Sequence, residues 1–151
     1  MTALVFALVS CNTRSVFSPS LQQASELIRI SAEGVKDTIT FSDSLQIGDT
    51  VHVGMLCNGF YDYLRTVVMA GDTNKVKTSL EWPDSLGYVL AEDADKEHGR
   101  LSFVPEKVYA IYTTLTYIPV ASGTHRVDIQ INSAAPESYN QYNGYFVIAV
   151  K

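Results

Sequence analysis

The chain has 151 residues, with 11 Lys or Arg against 16 Asp or Glu and a formal net charge of -5 at pH 7. A chain of this length fits one domain with one hydrophobic core. Because phosphate binding needs clustered Lys and Arg, and the basic residues here are scattered, nucleic acid is excluded as an expected partner. Many Tyr, Phe and β-branched residues favour strands, so the composition predicts an all-β protein.

The first stretch, residues 2–9, is an apolar run followed by Ser10 and Cys11. It is too short to cross a bilayer as a helix, which needs about 20 apolar residues, but it has the length of the apolar core of a secretory signal. Residues 1–3 lack the basic residues with which signal peptides begin, and one explanation is that the true start lies upstream. The alternative is a buried strand, because periodicity alone does not distinguish the two.

The four residues Leu8-Val9-Ser10-Cys11 resemble the lipobox of bacterial lipoproteins. The resemblance implies that residues 1–10 are a signal peptide and that Cys11 carries lipid. Residues 11–25 would then comprise the lipidated cysteine and a polar tether that contains Ser, Asn and Pro. The resemblance also implies that the membrane is a partner through this anchor. Asn12 after the cysteine is compatible with an outer-membrane lipoprotein of the bacterial cell envelope.

From residue 26 onward, alternating apolar and polar residues predict about nine strands in one domain, residues 26–151. The last stretch is apolar on both faces and therefore predicts a central strand covered on both sides. Residues 83–108 leave room for only a turn or two of helix. The clearest strands are residues 50–57, 75–82, 123–131 and 144–150, and the weaker ones are residues 27–30, 38–41, 63–69, 101–104 and 109–118. Such spacing indicates a sandwich or a barrel.

Two stretches resemble immunoglobulin-like domains. Ile47-Gly48-Asp49-Thr50-Val51-His52-Val53 is similar to the "GDTV" strand opening of these domains, and Gly123-Thr124-His125-Arg126-Val127-Asp128-Ile129 is similar to the strand before their last one. The resemblance implies an all-β fold, an immunoglobulin-like antiparallel β-sandwich of about 7–9 strands. The chain departs from antibody domains because it lacks their Cys…Trp…Cys spacing. His125 also stands where an aromatic corner residue is expected.

The sequence contains no known catalytic motif, so we expect no enzyme and no cofactor. The three histidines, His52, His98 and His125, are too far apart for a zinc motif and are predicted on surface strands or loops. Residues 92–99 form an acidic run that invites comparison with a calcium-binding loop. Counted from Asp93, the sixth and twelfth positions are His98 and Val104, where such a loop needs Gly and Glu. We therefore predict a solvated charged loop. A disulfide between Cys11 and Cys57 stays open, but no disulfide framework is expected.

Aromatic residues gather in two predicted turns, and tyrosine suits stacking on a sugar ring or a protein partner because it has an apolar face and a polar tip. If the two turns lie at the same end of the fold, they form one patch. The alternative is that these are ordinary aromatics at the edge of the core. The candidate ligand-binding residues are Tyr139, Asn140, Tyr142, Asn143, Tyr145, Tyr61 and Tyr63, with Phe60 beside the last two.

The favoured hypothesis is a lipid-anchored, non-enzymatic immunoglobulin-like domain that binds or scaffolds a protein or glycan partner at the cell envelope. The second is a carbohydrate-binding module that uses the tyrosines. The third is an enzyme whose catalytic groups come from loops, which requires a cleft with two or more ionisable side chains.

Overall fold

A computed structural model describes residues 19–60, 62–133 and 141–151 of the chain. These residues form two antiparallel sheets that enclose one hydrophobic core, so the predicted all-β antiparallel sandwich is confirmed. The described part of the chain contains ten strands. They are β1 (Ser20–Gln23), β2 (Leu27–Ile30), β3 (Lys36–Ile39), β4 (Thr50–Asn58), β5 (Leu64–Gly71), β6 (Val76–Leu80), β7 (Arg100–Ser102), β8 (Ala110–Pro119), β9 (Gly123–Ser133) and β10 (Gln141–Val150).

The first sheet has the order β3-β2-β4-β8-β6, and β1 also pairs with β4. Strands β1 and β2 each pair with a different half of β4, since Ser20 lies opposite Asn58 and Ile30 lies opposite Thr50. The sheet therefore begins at Ser20, inside the segment that the sequence assigns to a polar tether. That segment also includes Cys11, which lies outside the described residues, as does the predicted signal peptide.

The second sheet has the order β10-β9-β5-β7, which makes β10 an edge strand. The prediction of a central strand for residues 144–150 is wrong, since β10 has one strand partner, β9, and the side chain of Val147 is 42% exposed. The prediction assumed that apolar residues on both faces of a strand are buried. The outer face of β10 is apolar, but no second layer of described residues covers it. Leu45 protects the last residues of this edge, donating its backbone N–H to the Ala149 carbonyl over 2.9 Å.

Alternation along the strands builds the core. In β4, Val51, Val53, Met55 and Cys57 all point inward and are fully buried, as their spacing predicts. His125 is also buried, only 1% exposed, so its predicted surface position is wrong. It shares its face of β9 with the buried apolar residues that follow at every second position.

Between β6 and β7 the chain forms two short 3-10 helices, Asp84–Val89 and Lys96–His98. None of the helical segments in the described ranges is long and apolar enough to cross a membrane. Both helices belong to residues 83–108, where the sequence leaves room for only a turn or two.

Several strands begin or end at one end of the sandwich. Leu64 lies opposite Ser133, and Asn58 lies opposite both Ser20 and Ala110. Strands β4 and β9 therefore finish at this end, while β1, β5, β8 and β10 begin there. The connection between β4 and β5 therefore lies at this end, and so do Ser133 and Gln141, the described residues on either side of 134–140. We call this end the aromatic end.

Candidate functional site

Two aromatic side chains, Tyr63 and Tyr109, stack at the aromatic end, and Phe60 lies in the same connection as Tyr63. We call these three residues the aromatic end patch. The rings of Tyr63 and Tyr109 stack with centroids 4.1 Å apart and planes inclined by 22°. Tyr109 is 52% exposed and Phe60 is 38% exposed, so the rings are partly open to solvent. Two connections, 59–63 and 103–109, contribute to the patch.

Backbone hydrogen bonds hold these two connections against each other. Gly59 donates its N–H to the Tyr109 carbonyl over 2.8 Å, and Leu64 donates to the Val108 carbonyl over 2.6 Å. The Asn58 side-chain oxygen accepts from the N–H of Phe60, which takes a left-handed φ of 56°. The patch geometry is therefore fixed by the backbone and does not depend on side-chain packing alone.

The Tyr109 hydroxyl group affects the pKa of Tyr63. A hydrogen bond with Tyr109 raises the pKa of Tyr63 above its ordinary value, and the charge of an ionised Tyr109 acts in the same direction. Asp62 supports the turn below, since its Oδ1 accepts from the Tyr63 N–H over 2.8 Å. The patch therefore offers uncharged rings with hydroxyl tips at neutral pH.

The structure separates the tyrosines and asparagines predicted on β10. Tyr142 points inward and packs against the core, where burial raises its pKa and nearby Cys57 adds to the effect. Tyr145 lies on the outer face, with the Arg126 guanidinium carbon 3.9 Å from its ring centroid. Asn143 accepts from the amide of Gln130 over 3.5 Å on the same outer face. Neighbouring positions of a strand face opposite sides, so β10 does not present these residues as one cluster.

Of the other predicted residues, Tyr63 belongs to the aromatic end patch. Cys11, Tyr61, Tyr139 and Asn140 lie outside the described residues. The described residues that flank the two predicted turns, Asn58 and Leu64 for one and Ser133 and Gln141 for the other, lie at the same end of the sandwich. Sequence reasoning missed Tyr109, whose position just before an alternating strand was its only signal.

A second surface, the Trp82 cleft, lies beside the edge strand β6 and encloses a volume of about 420 Å³. The indole Nε1 donates to the Leu86 carbonyl over 3.0 Å, and the ring packs on Phe103 with centroids 5.6 Å apart. Three ionisable side chains line the cleft, so the structure meets the requirement of the enzyme hypothesis for such a cleft. The lining residues are Ser79, Leu80, Glu81, Trp82, Pro83, Lys96 and Glu97.

Two carboxylates of the acidic run beside this cleft, Asp93 and Asp95, already have partners within the chain. Asp93 accepts from Arg100 over 2.9 Å, and the Asp95 carboxylate lies 2.9 Å from His98 Nδ1. Across the described ranges, no group of three or more His, Cys, Asp or Glu side chains could hold a metal ion. Burial raises the pKa of the Cys57 thiol to about 12, which keeps it protonated and unreactive.

No protein-family model matches the chain, and no curated protein matches it. Among solved structures, one similar chain is a family 123 glycoside hydrolase from Clostridium perfringens, studied for glycolipid glycan hydrolysis. It is 11% identical with a TM-score of 0.42, and the similarity covers 87% of this chain and 27% of that one. The chain therefore spans about a quarter of the length of that enzyme.

This neighbour contradicts the prediction that the protein is not an enzyme. That prediction rested on missing motifs alone, and a chain with a similar segment is named a glycoside hydrolase. We therefore do not retain it. The likeness is too distant to assign any activity to this chain.

Proposed function

We propose that this protein is a carbohydrate-recognition domain that binds sugar at its aromatic end patch. One observation carries the proposal: two connections fixed by backbone hydrogen bonds stack Tyr63 on Tyr109, with Tyr109 half exposed and Phe60 in the same connection as Tyr63. A sugar ring has a face of C–H groups and a rim of hydroxyls. Tyrosine matches both, because its ring is apolar and its hydroxyl forms hydrogen bonds.

The small size of the patch favours sugar over a protein partner. A stable protein interface buries about 800 Å² on each side, whereas aromatic side chains bury about 150–250 Å² each. The three residues of the aromatic end patch fall short of such an interface but suffice for one or two sugar rings. Their lack of charge also suits a neutral glycan.

A glycan array followed by affinity gel electrophoresis tests the proposal with wild type, Tyr109→Ala and Tyr88→Ala. Tyr88 is the matched control because it is 76% exposed and lies in the 3-10 helix Asp84–Val89, outside the two connections that form the patch. We expect Tyr109→Ala to weaken binding about tenfold, which corresponds to about 1.4 kcal/mol. The Tyr88 variant should bind like wild type. Failure of wild type to bind any glycan, or equal losses in both variants, would contradict the proposal.

We also propose that Cys11 is lipidated and anchors the domain in the bacterial cell envelope, at the outer membrane. The lipobox-like residues ending at Cys11 support this, and β1 begins at Ser20 on the aromatic end. A fully extended chain between these two residues reaches about 30 Å. An anchor there would hold the aromatic end patch near the membrane surface, where envelope glycans lie.

We also propose that the sandwich is immunoglobulin-like. The two stretches that resemble such domains lie mainly in β4 and β9, which belong to different sheets. In addition, β9 is followed in the chain by β10, with which it pairs.

Metabolic labelling of the full chain with a fatty-acid analogue in a bacterial host tests the anchor. Wild type should incorporate the label, and Cys11→Ala should lose it. Cys57→Ala is the control, because that thiol is buried and its substitution should leave labelling unchanged. Equal labelling of wild type and Cys11→Ala would refute lipidation.

A further inference from the structure

We infer that the Trp82 cleft is a second binding site, which takes the arginine side chain of a basic segment in a partner protein. The cleft lies along β6, the edge of the first sheet, and shares none of its lining residues with the aromatic end patch. Its volume of about 420 Å³ lies within the range of about 300–1,000 Å³ typical of ligand sites. The inference does not depend on the proposed glycan binding.

The indole of Trp82 is fixed before any ligand arrives. Its Nε1 donates to the Leu86 carbonyl over 3.0 Å, and Phe103 packs against the ring at an angle of 60°. Tryptophan is the best aromatic partner for a guanidinium group through cation–π attraction. Because the ring is already held in place, binding would cost little side-chain entropy.

The charges around the indole favour a cation. Glu81 and Glu97 line the cleft and are exposed, and neither carboxylate forms an ion pair with another described residue. Lys96 also lines the cleft, but its Nζ lies 2.9 Å from the Asp84 carboxylate and is neutralised there. Neither carboxylate of the cleft is therefore held in an ion pair with a described residue, although the charge of Glu97 also acts on Lys96.

Arginine satisfies both features of the cleft with one group. Its planar guanidinium stacks on an aromatic ring and donates paired hydrogen bonds to a carboxylate. An anion would be repelled by Glu81 and Glu97, and a neutral sugar could donate hydrogen bonds to them but would gain no net charge attraction. The apolar lining from Leu80 and Pro83 suits the methylene stem of the arginine side chain.

The chain contains a single tryptophan, so its fluorescence reports directly on this cleft. The probe is a capped Gly-Arg-Gly peptide, compared with the same peptide carrying citrulline, which has a similar shape but no charge. With the full chain at low salt, the arginine peptide should change the emission of Trp82 in a saturable way. The citrulline peptide should bind at least tenfold more weakly, and added salt should weaken arginine binding.

Two variants locate the interaction. Glu97→Gln and Glu81→Gln should each weaken arginine binding about tenfold or more, while Glu33→Gln, an exposed glutamate near β2, is the control and should bind like wild type. Gln keeps the size of Glu at these exposed positions, and circular dichroism checks the fold.

Equal binding of the citrulline peptide, unchanged binding in both cleft variants, or an emission change with sugars but not with arginine would overturn the inference. Tyr109→Ala should leave arginine binding intact. A failure of the arginine-binding inference can therefore be distinguished from a failure of the glycan-binding proposal.

Discussion

The aromatic end patch and the Trp82 cleft hold their aromatic rings in different ways. In the patch, Tyr63 and Tyr109 support each other, and backbone hydrogen bonds between two connections fix their spacing. In the cleft, Trp82 is held by Phe103 and by the Leu86 carbonyl, while the ionisable groups around it are exposed side chains. The patch is uncharged and set by the backbone, whereas the cleft is charged and set by side chains. Each suits a different class of ligand.

Both surfaces nevertheless depend on a glycine where two backbone segments approach closely. A Cβ at Gly59 would overlap the Asp62 carbonyl oxygen below the patch. A Cβ at Gly99, the residue after the 3-10 helix that lines the cleft, would overlap the Met69 carbonyl oxygen. Gly99 also has a φ of 80°, which side chains rarely adopt. Substituting each glycine should therefore damage one surface and spare the other.

Gly99→Ala should have the largest effect, because it combines backbone strain with overlap. We expect a loss of about 3 kcal/mol in the free energy of unfolding, measured by urea denaturation, together with a changed Trp82 emission spectrum. Gly87→Ala is the control, because nothing lies within 4 Å of its added Cβ. A Gly99→Ala protein as stable as the Gly87→Ala protein would contradict this account of the cleft.

Gly59→Ala should cost about 2 kcal/mol, since it introduces overlap without a left-handed φ. It should also displace the connection that carries Phe60 and Tyr63, and therefore abolish glycan binding. Trp82 emission and arginine binding should not change. If Gly59→Ala disturbed the emission of Trp82 as much as Gly99→Ala does, the two surfaces would not be independent.

Gln23→Met should stabilise the protein by about 1 kcal/mol. Both side-chain amide atoms of Gln23 are buried without a hydrogen-bond partner in the described part of the chain, and an apolar side chain of similar size removes that penalty. Gln22→Met is the matched control, because Gln22 is exposed on the same strand, β1. Thermal unfolding compares them, and a melting temperature that falls in Gln23→Met would show that the amide has a partner.

Tyr109→Phe should have the smallest effect, since it removes one hydroxyl and keeps the stacked ring. The pKa of Tyr63 is raised by its hydrogen bond to Tyr109, so the substitution should move this pKa back toward its ordinary value. NMR of ring-labelled tyrosine across alkaline pH measures the shift. Tyr88→Phe should leave Tyr63 unchanged, and an unmoved Tyr63 pKa in Tyr109→Phe would argue against the hydroxyl contact.

Most of the fold prediction came from the alternation of apolar and polar residues along the chain. This alternation identified the inward face of β4 and located nine of the ten strands, because one face of a sheet is buried and the other is exposed to solvent. It missed β1, which contains only one large apolar residue, Leu21. It also misjudged β10, because an apolar outer face does not show whether another strand or layer covers it.

The candidate site was less predictable because it depends on contacts between distant residues. The sequence indicated Tyr63 as a candidate and left open whether the two turns share an end. It could not indicate that Tyr109 stacks on Tyr63, since the hydrogen bonds that join their connections leave no local pattern. The Trp82 cleft could not be predicted for the same reason. Glu81 and Glu97 line one cleft only because the 3-10 helix Lys96–His98 lies beside β6 in the folded chain.

The pairing of β1 has a mechanical consequence. Ser20 leaves the fold at the aromatic end, whereas β10 finishes at Val150 on the opposite end. Tension between the two chain ends would therefore act along the strand axes, across hydrogen bonds that lie perpendicular to them. The bonds from β1 to β4 would share this load as a group and would not open one after another. A domain tethered by its N-terminal side and pulled from the other would resist extension in shear.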